Sequence, residues 1–209
     1  MKKILLADDH NVVRKGLRQI LSDELHEVEL GEATNGTDAY RLVKEKKWDL
    51  LILDINMPGK NGLELLKQMK DEKIHLPVLV LSMHPEEQVA VRALKLGASG
   101  YLTKEAADKE LVNAVNQILS GRKYITPSLA EQMAAQLENP QDRAPHELLS
   151  DREYQTLLLF AKGKTVSQIA EHLCLSIPTI STFRVRILEK TGMKTTAELV
   201  TYAIRNNLV

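Results

Sequence analysis

Trp48-Asp49-Leu50-Leu51-Ile52-Leu53-Asp54-Ile55-Asn56-Met57-Pro58-Gly59 holds the reading of the chain. Leu50 to Leu53 is apolar without a break and short, as in a parallel strand buried on both faces. The run stops at Asp54, and Met57-Pro58-Gly59 then breaks the chain. Asp54 therefore stands at the carboxyl end of a buried strand, where open α/β sheets place their ligands.

Outward from that strand the pattern alternates. Apolar runs at 4–7, 28–33, 78–81 and 100–102 read as four further strands. Helix-periodic stretches at 12–21, 37–46, 62–69, 86–96 and 108–119 lie between and after them. Strand-helix alternation predicts a five-stranded, doubly wound parallel sheet over residues 1–124. Right-handed crossovers bring the carboxyl ends of all its strands to one edge. Asp8 and Asp9 follow the first strand, Asp54 the third, Ser82 the fourth, and Thr103 and Lys104 the fifth.

Three carboxylates so placed raise one another's pKa unless a cation joins them. Oxygen ligands from one or two carboxylates, with water and a phosphate completing the shell, describe a Mg²⁺ site. Lys104 suits a phosphoryl oxygen as a point charge, Ser82 can donate to another, and Asp54 is left as a nucleophile toward phosphorus. Each residue has a plainer use alone: Asp9 as a helix cap, Lys104 as a solvated turn lysine, Asp54 as a cap of the next turn. Their joint placement favours the chemical use.

The totals leave the class open. There are 209 residues, enough for one large or two small domains, with 28 basic and 28 acidic side chains. Cys174 is the only cysteine, which excludes an internal disulfide and any site of several cysteines, and fits a cytoplasmic protein. No signal peptide or membrane-spanning run is expected, since Asp8-Asp9 cut short the first apolar run.

Alternation ends after Ser120-Gly121. Residues 128–137 read as a short helix capped by Ser128, and Pro140 and Pro145 stand among polar residues in a linker, so 125–147 joins two domains. From 148 to 209 the pattern is all helical. Ser150-Asp151-Arg152-Glu153 reads as a capping box, with Gly163 ending the helix that it opens. A second helix is expected over 166–173, a turn at Cys174-Leu175-Ser176, a third helix over 178–190, and a last one opened by a capping box at Thr195-Thr196-Ala197-Glu198. Two helices across a three-residue turn suggest helix-turn-helix DNA binding. Eight basic against five acidic side chains from 148 onward give this part +3 and the rest −3. By charge alone, a protein-interaction module fits as well.

Residues 1–124 resemble the receiver domain of two-component response regulators. The resemblance rests on Ala7-Asp8-Asp9-His10, Leu53-Asp54-Ile55-Asn56-Met57-Pro58-Gly59, Leu81-Ser82 and Gly100-Tyr101-Leu102-Thr103-Lys104. Residues 148–209 resemble the LuxR-type domain of the NarL/FixJ family, through Leu149-Ser150-Asp151-Arg152-Glu153, Gln168-Ile169-Ala170 and Ser176-Ile177-Pro178-Thr179-Ile180-Ser181-Thr182. What this implies is a phosphoprotein whose Asp54 takes a phosphoryl group from a cognate sensor histidine kinase and loses it slowly by autodephosphorylation. Mg²⁺ would be held by Asp9, Asp54 and the backbone carbonyl of Asn56, and by Asp8 through water. Ser82 and Tyr101 would form the switch pair: Ser82 moves to the phosphate and the Tyr101 ring enters the space. Asn56 and His84 would flank the phosphate.

The same resemblance implies a homodimer when phosphorylated, binding palindromic half-sites on double-stranded DNA and acting on transcription through RNA polymerase, with no membrane partner. Ser181, Thr182 and Val185 would face the major groove. Thr179, Arg184, Arg186 and Lys164 would contact phosphates or flanking positions. Ser181 and Phe183 depart from the family pattern, in which lysine and histidine are frequent; Phe183 reads as core. Two rivals remain from other classes: a phosphohydrolase working through an aspartyl-phosphate, with no second acid/base motif to support it, and a receiver whose tail binds protein.

Overall fold

Unbroken runs of Leu, Ile and Val set the sheet. In the computed structural model, which describes residues 1–83, 86–138, 144–206 and 208–209, the strands are β1 (Lys2–Ala7), β2 (Val28–Ala33), β3 (Leu50–Asp54), β4 (Val78–Ser82) and β5 (Gly100–Thr103). They form one sheet of order β2-β1-β3-β4-β5, every pair parallel. Helices α1 (Asn11–Glu24), α2 (Gly36–Glu45), α3 (Gly62–Asp71), α4 (Glu86–Lys95) and α5 (Ala107–Leu119) make the crossovers and close the layer.

Strand alternation divides the core. Ile4, Leu6, Leu50, Ile52, Leu79, Leu81 and Leu102 meet Leu17 and Leu21 of α1 and Leu111, Ala114, Val115 and Ile118 of α5. The alternate residues, Leu5, Leu51, Leu53, Val78 and Val80, are equally buried and by the period of two face the other side. Burying each large apolar side chain is worth about 1.5–3 kcal/mol, so a register slip of one residue would be opposed on both faces.

The chain divides into Met1–Ala134 and Ala135–Val209, and the division falls within α6 (Pro127–Glu138). Ser128 is not the cap of α6. Pro127 opens the helix and the Thr126 hydroxyl accepts from the Leu129 N–H at 3.2 Å. A first-turn proline needs no N–H partner, which moves the cap one residue upstream of it. Residues 139–143 of the expected linker lie outside the described residues, as does His84.

The second unit holds a 3-10 turn (Pro145–Leu148), α7 (Asp151–Ala161), α8 (Val166–Leu173), α9 (Ile177–Thr191) and α10 (Thr196–Arg205). Ser150 and Glu153 form the expected capping box, and Gly163, at φ 77°, follows the cap residue of α7 in the left-handed region. The box at Thr195 is only half made: Thr195 accepts from the Glu198 N–H, while the Glu198 carboxylate reaches past it to the Lys194 N–H at 2.9 Å. Leu157, Leu158, Ile169, Leu173, Ile180, Ile187, Leu199 and Ala203 are buried. α7 packs on α9 and α10, and α8 on α9.

Candidate functional site

Pairing of β1 with β3 sets Ala7 beside Leu53, so the next residues, Asp8 and Asp54, leave the sheet side by side. The Lys104 N–H donates to the Ser82 carbonyl at 2.8 Å, which carries the β4–β5 pairing one residue further and delivers the lysine to the same edge. Its Nζ lies 2.8 Å from Asp54 Oδ2 and 2.7 Å from Asp8 Oδ2. Asp54 Oδ1 accepts the Asn56 N–H at 3.1 Å. Asp54 and Asp8 are each only 1% exposed.

Burial pushes the Asp54 carboxyl above its ordinary pKa; Lys104 pulls it down and the charge of Asp8 pushes it up again. Burial also disfavours the Lys104 ammonium, but Asp54 and Asp8 outweigh it and hold its pKa above the usual lysine value. One ammonium therefore stands between two buried carboxylates. Asp8 Oδ2 has this ion pair but no aligned hydrogen bond. The carboxylates of Asp8, Asp9 and Asp54 offer ligand oxygens within 4.8 Å of one another, a donor set that suits a hard dication. Asp9 is not used as the helix cap: His10 holds the N-cap position of α1, with no side-chain cap bond.

Ser82 and Tyr101 lie on neighbouring strands, Tyr101 opposite Val80 and Ser82 opposite Thr103. Both are buried, and the Tyr101 ring is only 1% exposed. The inward movement expected of Tyr101 thus has no outward starting point in this structure.

Sequence reasoning missed Arg14. It lies on the core face of α1, three residues before Leu17, a spacing that was visible. Its guanidinium donates to the Asp8 carbonyl at 2.8 Å and to Glu32 on β2 at 3.2 Å. Arg18 first, then Arg14, hold Glu32 below the ordinary carboxylate range against the effect of burial. This pair pins the loop that carries Asp8 and Asp9. The partner became visible only with the sheet order.

In the second unit the turn between α8 and α9 is Cys174-Leu175-Ser176, as expected. Cys174 takes a left-handed conformation at φ 54°, and Ser176 caps α9. Thr182, Val185 and Arg186 are exposed on α9; Ser181, Thr179, Arg184 and, before α8, Lys164 are half-buried. Val185 is 49% exposed, an apolar side chain on the outer face of α9. The Thr182 hydroxyl donates to the Pro178 carbonyl at 3.0 Å, and Thr179 shares a 2.7 Å hydrogen bond with Ser176. Phe183 is half-buried, so it is neither wholly core nor a free surface group.

α9 is held in place from behind. Glu153, buried, receives the Lys190 ammonium at 2.6 Å and the Ser150 N–H at 2.7 Å. Burial opposes the charge of Glu153, but Lys190 and Ser150 outweigh it and lower its pKa. A depressed native pKa gives stability that is present above the unfolded value and lost as pH falls through the native one. Lys190→Met strands the carboxylate. Because Lys190 is itself 41% exposed on its side chain, the expected cost at neutral pH is about 1–2 kcal/mol rather than the full penalty for a buried pair. Thermal unfolding over a pH series should show the gap to the parent narrowing as Glu153 protonates; a gap independent of pH would contradict the pairing.

Sheet order and the placement of Asp8, Asp54 and Lys104 put the first unit among receivers, and the turn between α8 and α9 makes the second a helix-turn-helix domain. The comparisons agree. Residues 4–116 match the response regulator receiver domain, and residues 147–203 match the bacterial regulatory proteins of the luxR family. Response regulator GacA of Pseudomonas aeruginosa is 36% identical over 210 residues, spanning 100% of this chain and 98% of that protein. Response regulator UvrY of Escherichia coli K12 is 36% identical over 209 residues, spanning 100% and 96%. The structure of RcsB from Salmonella enterica serovar Typhimurium, bound to promoter rprA in the presence of a phosphomimetic, superposes with TM-score 0.66 at 27% identity, covering 96% of this chain and 97% of that one. The chain belongs to the NarL/FixJ family of response regulators, with a receiver and a LuxR-type DNA-binding domain.

Proposed function

We propose that Asp54 accepts a phosphoryl group from a phosphohistidine of a sensor kinase, and that this event controls dimerisation and sequence-specific DNA binding. The observation that carries the reading is Lys104 Nζ within 2.8 Å of the buried Asp54 carboxylate. An Asp54 oxygen attacks phosphorus, the O–P bond forms as the P–N bond of the donor breaks, and the imidazole keeps the electron pair and takes a proton from water. Lys104 then passes from the Asp54 carboxylate to a phosphoryl oxygen, and Ser82 donates to another. Asp9, Asp54 and the Asn56 carbonyl, with Asp8 through water, would hold Mg²⁺, which supplies charge neutralisation at the phosphoryl oxygens. Slow hydrolysis of the aspartyl-phosphate resets the protein.

The aspartyl-phosphate carries roughly −1.5 to −2 charges in place of the single charge of the Asp54 carboxylate, where Asp8 already stands. That charge draws Lys104 and Ser82, and repacking around them biases the equilibrium between a closed and a DNA-competent form. Domain limits of 1–124, 125–147 and 148–209 fit this division of work. Two copies would read half-sites about 34 Å apart, with Ser181, Thr182 and Val185 on the groove floor and Thr179, Arg184, Arg186 and Lys164 at phosphates. Recruitment or blocking of RNA polymerase at such sites is the output, and a site of action on DNA accords with the cytoplasm. Among the described residues no helix is long and apolar enough to cross a membrane.

Peptide mapping after treatment with a small phosphodonor and Mg²⁺ tests the site: the label is expected on the peptide containing Asp54, and label on another residue overturns the reading. Arg186→Ala is expected to weaken binding to all DNA sequences about equally and to lower the salt slope by about 1. A salt titration of DNA affinity checks it, and a loss confined to one sequence would make Arg186 a base reader instead.

A further inference from the structure

We propose that the cleft between β5, α5 and the start of α6 binds a small organic amine, its ammonium paired with Glu110. The site is separate from the acidic pocket, and binding there does not depend on the reading of Asp54.

The backbone opens the cleft. β5 is the last strand of the sheet, and after α5 the chain returns along its outer edge. It pairs there at Gly100 and Tyr124, where the Tyr124 N–H donates to the Ser99 carbonyl at 2.9 Å. A Cβ on Gly100 would stand 2.9 Å from the Tyr124 Cβ, so this close approach needs glycine. Pro127 then opens α6 and the pairing goes no further. What remains is a cleft of about 490 Å³, a size typical of small-molecule sites. Its walls are residues 101–103 of β5, one stripe of α5 and residues 124–127. Glu110, Asn113 and Gln117 form the stripe, at the helical spacing of three and four.

The donors of that stripe are spent and its acceptors are not. Asn113 Nδ2 and the Tyr124 hydroxyl both donate to Glu110 Oε2, each at 3.2 Å. Gln117 Nε2 donates to the Lys123 carbonyl at 2.6 Å. A carboxylate and a carbonyl only accept, so these bonds fix which end of each amide is the nitrogen. Glu110 Oε1, Asn113 Oδ1 and Gln117 Oε1 are left without a hydrogen bond among the described residues. Glu110 is half-buried. Among the described residues it pairs with no cation, and it is the one charged group lining the cleft.

A carboxylate without a counter-charge, next to spare amide oxygens, calls for a donor that is itself positive. Such a charge-assisted hydrogen bond is about twice as strong as a neutral one. An anionic ligand would be repelled, and an alcohol would gain only the neutral bond. Beyond the carboxylate the wall is apolar, with Leu102, Ile125 and Pro127. The ligand is therefore an amine with an apolar body rather than a bare inorganic cation. It touches β5, which leads into Lys104, and also Pro127, the first residue of the helix in which the chain passes from one unit to the other.

Titration of the isotope-labelled full chain with phenethylamine, and separately with the neutral phenethyl alcohol, tests this by amide NMR. The amine is expected to bind about tenfold or more tightly than the alcohol, with shifts along α5 and at residues 101–103 and 124–126. Glu110→Gln is expected to abolish the preference, leaving the two ligands within about twofold of each other. Asn113→Asp sets a second carboxylate one turn away and should tighten the amine by about threefold or more, but not the alcohol. Two variants of opposite sign separate the effect from a loss of folding. Equal affinities in the parent, no binding of the amine, or a preference that survives Glu110→Gln would each overturn the proposal. Shifts confined to Asp8, Asp9 and Asp54 would place the amine in the acidic pocket, and overturn it too.

Discussion

Asp54→Ala is expected to gain no phosphoryl group from a phosphodonor, a loss of at least about 10³-fold in acceptance rate, while both domains stay folded. The loss follows from chemistry: alanine has no oxygen to attack phosphorus, and a charge-stabilised pocket without its nucleophile retains little. Persistence of the fold follows from position. Asp54 is the last residue of β3, after the four apolar residues that fill the sheet, and its carboxyl lies above its ordinary pKa because of burial first and Asp8 later. Its removal relieves that repulsion and leaves Lys104 paired with Asp8 at 2.7 Å. Intact mass after treatment with the donor, together with a thermal melt, checks both halves. Label at parental levels would mean that another residue is the acceptor. A collapsed melt would mean that the Lys104 bridge to Asp54 holds the receiver together.

Gly62→Ala has the opposite character, a small change with a large structural effect. A Cβ on Gly62 would stand 2.3 Å from the Asp54 carbonyl oxygen and 2.9 Å from the Ile55 Cα. Both are backbone atoms, so no rotamer can yield. The turn cannot open freely either: the Gly62 N–H donates to the Ile55 carbonyl at 3.0 Å, and buried Asn61 caps α3 in a capping box with Glu64. Overpacking of this kind is expected to cost about 3 kcal/mol, lowering the melting temperature of the receiver by ~10 °C. Since the atom struck belongs to Asp54, phosphoryl acceptance should slow even at temperatures where the variant is folded. Gly16→Ala is the matched control. Gly16 is exposed in α1 with open space about its Cβ position, so alanine there should stabilise by about 0.5–1 kcal/mol. Equal melts for the two variants would contradict the close approach.

Leu50 to Leu53, and the four runs like it, needed no partner to be read as strands. Each is apolar enough that only a sheet covered on both faces accommodates it. Convergence of Asp8, Asp54 and Lys104 was equally legible, because parallel pairing brings the carboxyl ends of the strands to one edge. The cap of α6 was not, since Ser128 and Thr126 are equally good caps and only Pro127 between them decides. Glu198 satisfied the pattern of a capping box, yet its carboxylate found the Lys194 N–H instead; side-chain choice between neighbouring donors leaves no mark in sequence. Arg14 lay in plain view on an apolar face, but its use depends on Glu32, eighteen residues away and adjacent only because β2 pairs with β1. The buried state of Tyr101 is a matter of packing among strands, which spacing does not report.

Selection of genomic DNA fragments by the purified protein, with Mg²⁺ and with or without a small phosphodonor, bears most directly on phosphorylation-gated DNA binding. Recovery of a few palindromic sites from phosphorylated protein alone is the expected result, and Asp54→Ala should recover none under either condition. Equal recovery of the same sites from both forms, with phosphorylation of Asp54 verified by mass, would contradict it.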